Sequence, residues 1–136
     1  MESERVQKIK DLVEKVKTVY VATADKEGVP HIAAAEGMAF SDGDQVVFRA
    51  WFCLKTVENL HENPRISLGI LDPVTGEGYQ LLGKMERVET GAVLNGFTPQ
   101  MEKDWKGYPQ IEHRLSIRIE KISHLTIGAH SDEFLH

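Results

Sequence analysis

A mainly β protein, an antiparallel barrel with an N-terminal helix and short connecting helices, is the fold class this chain predicts, and three features of the sequence point to it. Successive short runs enriched in Val, Ile, Phe and Tyr follow one another at hairpin spacing, many of them with period-two alternation. The intervals between runs carry turn chemistry: Asp25-Lys26-Glu27-Gly28, Ser41-Asp42-Gly43-Asp44 and Asp72-Pro73-Val74-Thr75-Gly76. Strands do not alternate with long helical segments, which argues against a doubly wound parallel sheet.

Taken in order, the elements are these. Val6, Ile9, Leu12, Val13 and Val16 recur at helical spacing, with Glu2 and Glu4 ahead of them and Lys15 and Lys17 behind. An amphipathic helix whose charges suit its dipole therefore opens the chain, and its apolar stripe must lie on the barrel as a lid. At Thr18 the period changes to two, and residues 19–24 and 29–35 read as the strands of a hairpin. The chain bends near Gly37, forms a short strand over 38–40 and turns into a strand over 45–52. Residues 56–63 have helical spacing and stop at Pro64. Residues 65–71 read as a buried strand and 78–88 as a long one. Thr98-Pro99 opens a further short helix, carrying Met101 and Trp105, that Gly107 stops. Leu115, Ile117 and Ile119 alternate with polar residues, and the phase slips near Ile122 before Leu125 and Ile127, which predicts a β-bulge.

With 136 residues the chain fits one domain over 1–136, and 41% hydrophobic against 27% charged residues places it among folded globular proteins. A formal net charge of −5 excludes nucleic acid as the main partner, because duplex binding needs a basic surface, but leaves room for a local site that holds one phosphate. Cys53 is the single cysteine, so neither an intrachain disulfide nor a cysteine zinc site is expected. His31, His61, His113, His124, His130 and His136 are scattered without ligand spacing, so no metal site is assigned. No stretch approaches the roughly 18 consecutive apolar residues of a membrane span and no signal peptide opens the chain, so no membrane partner and a cytoplasmic location are expected.

The junction at Lys55 and Thr56, where the strand of 45–52 hands over to a helix, is the first candidate site. At a helix N-terminus the N–H groups without intrahelical partners and the positive end of the dipole favour an anion, to which a Thr hydroxyl and a Lys ammonium add. The residues alone leave a second reading open, in which Thr56 is an ordinary N-cap and Lys55 a solvated neighbour.

Four blocks, in order and spacing, resemble the FMN-binding split-barrel family, which includes the pyridoxamine 5'-phosphate oxidases and the small bacterial flavin mononucleotide (FMN) binding proteins. They are Gly28-Val29-Pro30-His31-Ile32-Ala33-Ala34-Ala35; Val46 to Ala50; Lys55-Thr56, Asn59-Leu60 and Asn63-Pro64-Arg65-Ile66-Ser67-Leu68; and Gly78-Tyr79-Gln80-Leu81-Leu82-Gly83-Lys84-Met85-Glu86. The resemblance implies an antiparallel split β-barrel of Greek-key type that holds FMN at the interface of a homodimer. It implies that Lys55 and Thr56, with Leu54 beside them, hold the phosphate, and that Ala33, Ala34 and Ala35 run alongside the isoalloxazine, where small side chains let a flat ring approach the backbone. Phe48, Arg49 and Ala50 match the adjacent strand, with Arg49 placed to pair with the phosphate or the electron-rich edge of the flavin. Gln80 and Leu81 match the strand that approaches the cofactor of the other subunit, and Trp105 an aromatic that covers the flavin from the partner chain. Read as residues alone, the alanines also suit a crowded barrel wall, Arg49 an exposed position and Trp105 ordinary packing.

Departures from the oxidase pattern bear on the reaction. His31 stands where the oxidases carry an arginine, and the chain ends Ser131-Asp132-Glu133-Phe134-Leu135-His136 in place of a basic segment. An acidic tail is a poor host for a second phosphate, so oxidation of pyridoxamine phosphate is not expected. Neither a Ser-His-Asp nor a paired-carboxylate arrangement stands out, so no catalytic residue is assigned and any redox chemistry belongs to the flavin. The resemblance thus implies a flavoprotein that serves as an oxidoreductase or electron-transfer protein with a small-molecule or redox-protein electron partner. The alternatives are a non-catalytic flavin-binding or sensory module and a haem- or deazaflavin-binding relative.

Overall fold

The computed structural model of the protein describes residues 3–41, 43–50, 54–91 and 112–135. Helix α1, Ser3–Val16, forms over the segment marked by apolar spacing and buries Ile9 and Val13, with Leu12 and Val16 packed beside them. It stops where Lys17 turns left-handed at φ 64°, its N–H donating to the Val13 carbonyl at 2.7 Å. β1 (Val19–Ala24) and β2 (Pro30–Ala35) pair antiparallel from Val19↔Ala35 to Ala24↔Pro30. Asp25 fixes the turn between them, its Oδ1 accepting the N–H groups of Glu27 and Val29 at 2.9 Å each.

β3 (Ala39–Phe40), β4 (Gln45–Ala50), α2 (Leu54–Glu62), β5 (Arg65–Leu71), β6 (Gly78–Gly91), β7 (Glu112–His124) and β8 (Phe134–Leu135) complete the order. The strands form one sheet in the order β2-β1-β5-β6-β7-β4-β3, with β8 pairing to β7 off that path. Every pairing is antiparallel. The sheet curls round one apolar core but its β2 and β3 ends do not pair, so it is split rather than closed, as expected. β5 shows the logic most plainly: Ile66, Leu68 and Ile70 point inward and are buried, while Arg65, Ser67 and Gly69 alternate with them. Each such side chain stabilises the fold by about 1.5–3 kcal/mol.

Differences from the expected elements have local causes. The phase slip expected near Ile122 is a bulge at Glu120: Leu82 pairs with Lys121 and Gly83 with Ile119, so Glu120 is the extra residue and β7 ends at His124. Beyond it, Leu125 and Ile127 donate their N–H groups to the carbonyls of Gly78 and Gly76 and run along the β5–β6 turn. β8 was not expected, since two residues after a polar tail carry no local pattern. The helix expected near Pro99, with Trp105, lies outside the described residues. No described helix is long and apolar enough to cross a membrane.

The β5–β6 turn is tied to α1 by Lys15, whose Nζ lies 2.7 Å from Oδ2 of Asp72, a carboxylate with 4% side-chain exposure. Oδ1 of Asp72 accepts the Val74 N–H at 2.9 Å. The hydrogen bond from Lys15, followed by the Val74 N–H, holds this carboxyl below its ordinary value of 3.8. A carboxyl lowered in the folded state stabilises the protein above its unfolded pKa and loses that contribution as pH falls through the folded value. Asp72→Asn should therefore lower the urea midpoint at pH 7 and flatten its fall below about pH 4. Parallel acid limbs in the two proteins would remove Asp72 from the acid response.

Candidate functional site

The candidate site is built where β4 ends and α2 begins. α2 is a nine-residue helix packed on β1 and β2, and β2 also comes beside β4. Among the described strands β2 is an end strand of the sheet, which leaves one edge of its backbone without a described strand partner and able to meet a flat polar ligand.

Lys55 and Thr56 are both in the first turn of α2, but they face different ways. Successive helical residues are turned by about 100°, so neighbours cannot share a face. The Lys55 side chain is 54% exposed, with Glu58 Oε2 at 4.0 Å, whereas Thr56 has no exposed surface. Two readings change as a result. Thr56 is not the N-cap, because the helix already starts at Leu54. Its hydroxyl lies on the inner face with no hydrogen-bond partner among the described residues, so it and the exposed Lys55 ammonium would approach an anion from different sides. A buried polar atom left unpaired is uncommon in folded proteins and is a mark of a ligand or water position.

Around Lys55 the electrostatics are mixed. The Asp25 carboxyl is held below its ordinary value of 3.8, first by the Val29 N–H, then by the Glu27 N–H, with the Lys55 charge adding to both. The ammonium thus sits in the field of two carboxylates, Asp25 and Glu58, and an incoming anion must compete with them. A phosphate fits the donor set of this turn, one ammonium and backbone N–H groups without intrahelical partners, with the Thr56 hydroxyl behind them.

The remaining residues divide by face. Ala33 and Ala35 turn inward, with Ala35 buried, while Ala34 is exposed on the outer face opposite Tyr20. Phe48 and Leu81 are core side chains, so neither they nor Ala35 offer a side-chain surface to a ligand, and any contact with one is made by their backbone. Arg49 and Ala50 pair through β4 with Arg114 and His113, and Leu54 opens α2. Gln80 is on the outer face, half-buried, donating to Ser67 Oγ at 2.8 Å and accepting from Ser123 Oγ at 3.3 Å. The strand phase at Gln80 and Leu81 is thereby fixed, Gln80 outward and Leu81 inward. Trp105 is outside the described residues.

Sequence reasoning missed the inner anchor of α2. Asn59 Nδ2 donates to Thr23 Oγ1 at 3.1 Å across 36 residues of chain, with both side chains buried. Asn59 lies in one of the quoted blocks, but nothing local pairs it with Thr23. A separate cavity of about 520 Å³ between α1, the β5–β6 turn and the end of β7 holds Lys15, Asp72, Tyr79, His124 and His130. Its polar groups are largely engaged: Lys15 with Asp72, His130 with Asp132 and the Gly128 carbonyl, Tyr79 in ring contact with His124. Among the described residues no group of three or more His, Cys, Asp or Glu side chains could hold a metal ion.

An antiparallel sheet that curls round one core without closing, lidded by α1 and followed after β4 by a short helix against its end strand, defines a split-barrel protein. The chain belongs to the pyridoxamine 5'-phosphate oxidase family, whose model matches residues 6–124. An uncharacterized protein of Methanocaldococcus jannaschii is 30% identical over 112 residues, 81% of this chain and 74% of that one. Among solved structures, an FMN-binding protein from Syntrophomonas wolfei superposes with a TM-score of 0.63 at 16% identity, covering 93% of this chain and 98% of its own. An F420 reductase superposes with a TM-score of 0.61 at 19% identity, covering 84% and 94%. At these identities the likeness to the two structures is one of fold.

Proposed function

We propose that the protein is a cytoplasmic flavoprotein that binds FMN non-covalently at the interface of a homodimer. In this reading it passes electrons between a reductant and a small-molecule or redox-protein acceptor. One observation carries the cofactor: in the first turn of α2 the Lys55 ammonium is exposed one residue before a buried hydroxyl that has no partner among the described residues. In this reading Lys55 and the first-turn N–H groups neutralise the phosphate, and the edge of β2 at Ala33 to Ala35 lies along the ring. The bound flavin supplies the redox chemistry; the protein supplies binding and orientation.

Support for the dimer comes from the outer face of the sheet. Tyr20, Ala22, Ile32, Ala34, Ser67, Gly69, Gln80 and Leu82 are neighbours there by register, and none is charged. Ile32 is 68% exposed and Tyr20 48%, an apolar patch of the kind that marks an interface. Gln80 belongs to the same face, which is why it, rather than Leu81, is the side chain to meet a second copy. Sedimentation should show a dimer, and Ile32→Lys should shift it to monomer; a wild-type monomer that binds FMN tightly would remove the interface from the site.

The similarity to an F420 reductase favours one second reading, a deazaflavin cofactor on the same phosphate site. The visible spectrum of the purified protein loaded with FMN or with F420, and mass identification of what denaturation releases, decide between the two. Anaerobic photoreduction followed by mixing with quinone and one-electron acceptors tests turnover. His31, standing where the oxidases carry an arginine, leads us to expect no pyridoxal phosphate from pyridoxamine phosphate. Efficient aldehyde formation would overturn the electron-transfer reading, and a flavin that no acceptor reoxidises would favour a non-catalytic binding module.

A further inference from the structure

We infer that Asn59 and Thr23 form a positioning pair that sets the rotation of α2 and through it the grip of Lys55 on the ligand's phosphate, an inference that rests on the FMN reading above. A nine-residue helix is too short to hold its own geometry in water, so its pose must come from what it packs on. Val57 and Leu60 are buried beneath it, but apolar contact is non-directional and tolerates rotation about the helix axis. Among the described residues, three polar ties of α2 run to one place, the β1–β2 hairpin. Asn59 donates to Thr23 at 3.1 Å, Glu62 Oε2 accepts the Lys26 N–H at 3.2 Å, and the Lys55 charge acts on Asp25. Of these three, only the Asn59–Thr23 bond is buried, and so only it escapes competition from water.

Geometry links this pair to the ligand end of the helix. Asn59 is one turn beyond Lys55 and on the same inner face as Thr56, the residue with the unpartnered hydroxyl. Thr23 lies past the part of β1 that pairs with β5, which covers Tyr20 to Ala22, and its hydroxyl accepts from α2. The remaining acceptor of Asn59, Oδ1, is buried and unpartnered like Thr56 Oγ1, which places two orphaned oxygens on the inner side of the first two turns. Loss of the Thr23 hydroxyl would free α2 to rotate and carry Lys55 and the first-turn N–H groups off the phosphate, while the contacts along β2 stay in place.

The test is the ratio of affinities for FMN and riboflavin, which differ only in the phosphate, measured on full-length protein. Thr23→Val keeps the shape and suits a strand; it should weaken FMN by about three- to tenfold and riboflavin by less than about twofold. Thr23→Ser should restore the ratio. The double variant Thr23→Val with Asn59→Leu replaces both partners by apolar groups, so it should recover melting temperature without recovering the FMN preference. Recovery of the preference together with the melting temperature would show a purely structural role and overturn the inference. So would a wild-type preference for FMN that Thr23→Val leaves unchanged, with the cofactor reading intact. A wild-type protein that binds both ligands equally would instead overturn the phosphate site itself.

Discussion

Gly78→Ala should cost at least about 3 kcal/mol of stability, or leave no soluble protein at all. A Cβ at this position would stand 1.9 Å from the Ile70 carbonyl oxygen and 2.9 Å from both the Ile70 carbonyl carbon and the Leu71 Cα. All three atoms are backbone, so no rotamer change relieves the clash. The position is also where β6 starts, with Leu71↔Gly78 and Ile70↔Tyr79 opening the ladder to β5. Moving β6 away would break those bonds and the one from the Leu125 N–H to the Gly78 carbonyl at 3.0 Å. Gly128→Ala is the control, because a Cβ there meets nothing within 4 Å and its backbone is not left-handed. Thermal unfolding of the two variants beside wild type checks the prediction; equal melting temperatures for Gly78→Ala and wild type would mean that the β5–β6 register is wrong.

The strands were legible because burial imposes a period that the sequence must obey. Arg65–Leu71 could be bounded to the residue, since Ile66, Leu68 and Ile70 alternate against polar or small neighbours and Pro64 and Asp72 close the ends. The bulge was legible as a lost beat, because Glu120 and Lys121 are consecutive exposed charges before Ile122 returns to the core. What the pattern does not encode is contact between distant segments. The start of α2 came two residues earlier than expected, because Leu54 and Lys55 suit a helix as well as Thr56 does. β8 exists only because β7 leaves an edge free at Ile122 and Ser123 for Leu135 and Phe134, an event with no local signal.

For the candidate site the sequence supplies positions but not faces. A linear motif identified Lys55 and Thr56, but the 100° turn between adjacent helical residues decides that one is presented and the other enclosed. The alternation of β2 likewise splits the three alanines, leaving Ala34 on the outer face while Ala33 and Ala35 turn toward the interior. A family resemblance transfers residues by position; only the fold assigns their faces.

Lys55→Ala should weaken FMN binding by roughly ten- to hundredfold and leave folding nearly unchanged. A charge-assisted hydrogen bond to phosphate is worth about 1.5–3 kcal/mol, which converts to that range. Stability should barely move, because Lys55 is exposed and its contact with Glu58 is an ion pair of 4.0 Å at the surface, a kind that contributes little. Three features of the expected result separate a phosphate contact from a general disturbance. Riboflavin, which lacks the phosphate, should bind both proteins alike. The loss should shrink as salt rises, because an exposed ammonium is screened. It should also shrink below about pH 6, where a phosphate monoester passes from dianion to monoanion and the ammonium has less charge to meet. Titration of both flavins into both proteins by fluorescence, at two ionic strengths and across pH 5 to 8, gives all three readings. Equal losses for FMN and riboflavin, or an unchanged FMN affinity, would take Lys55 out of the phosphate site and leave the first turn of α2 without its charged ligand group.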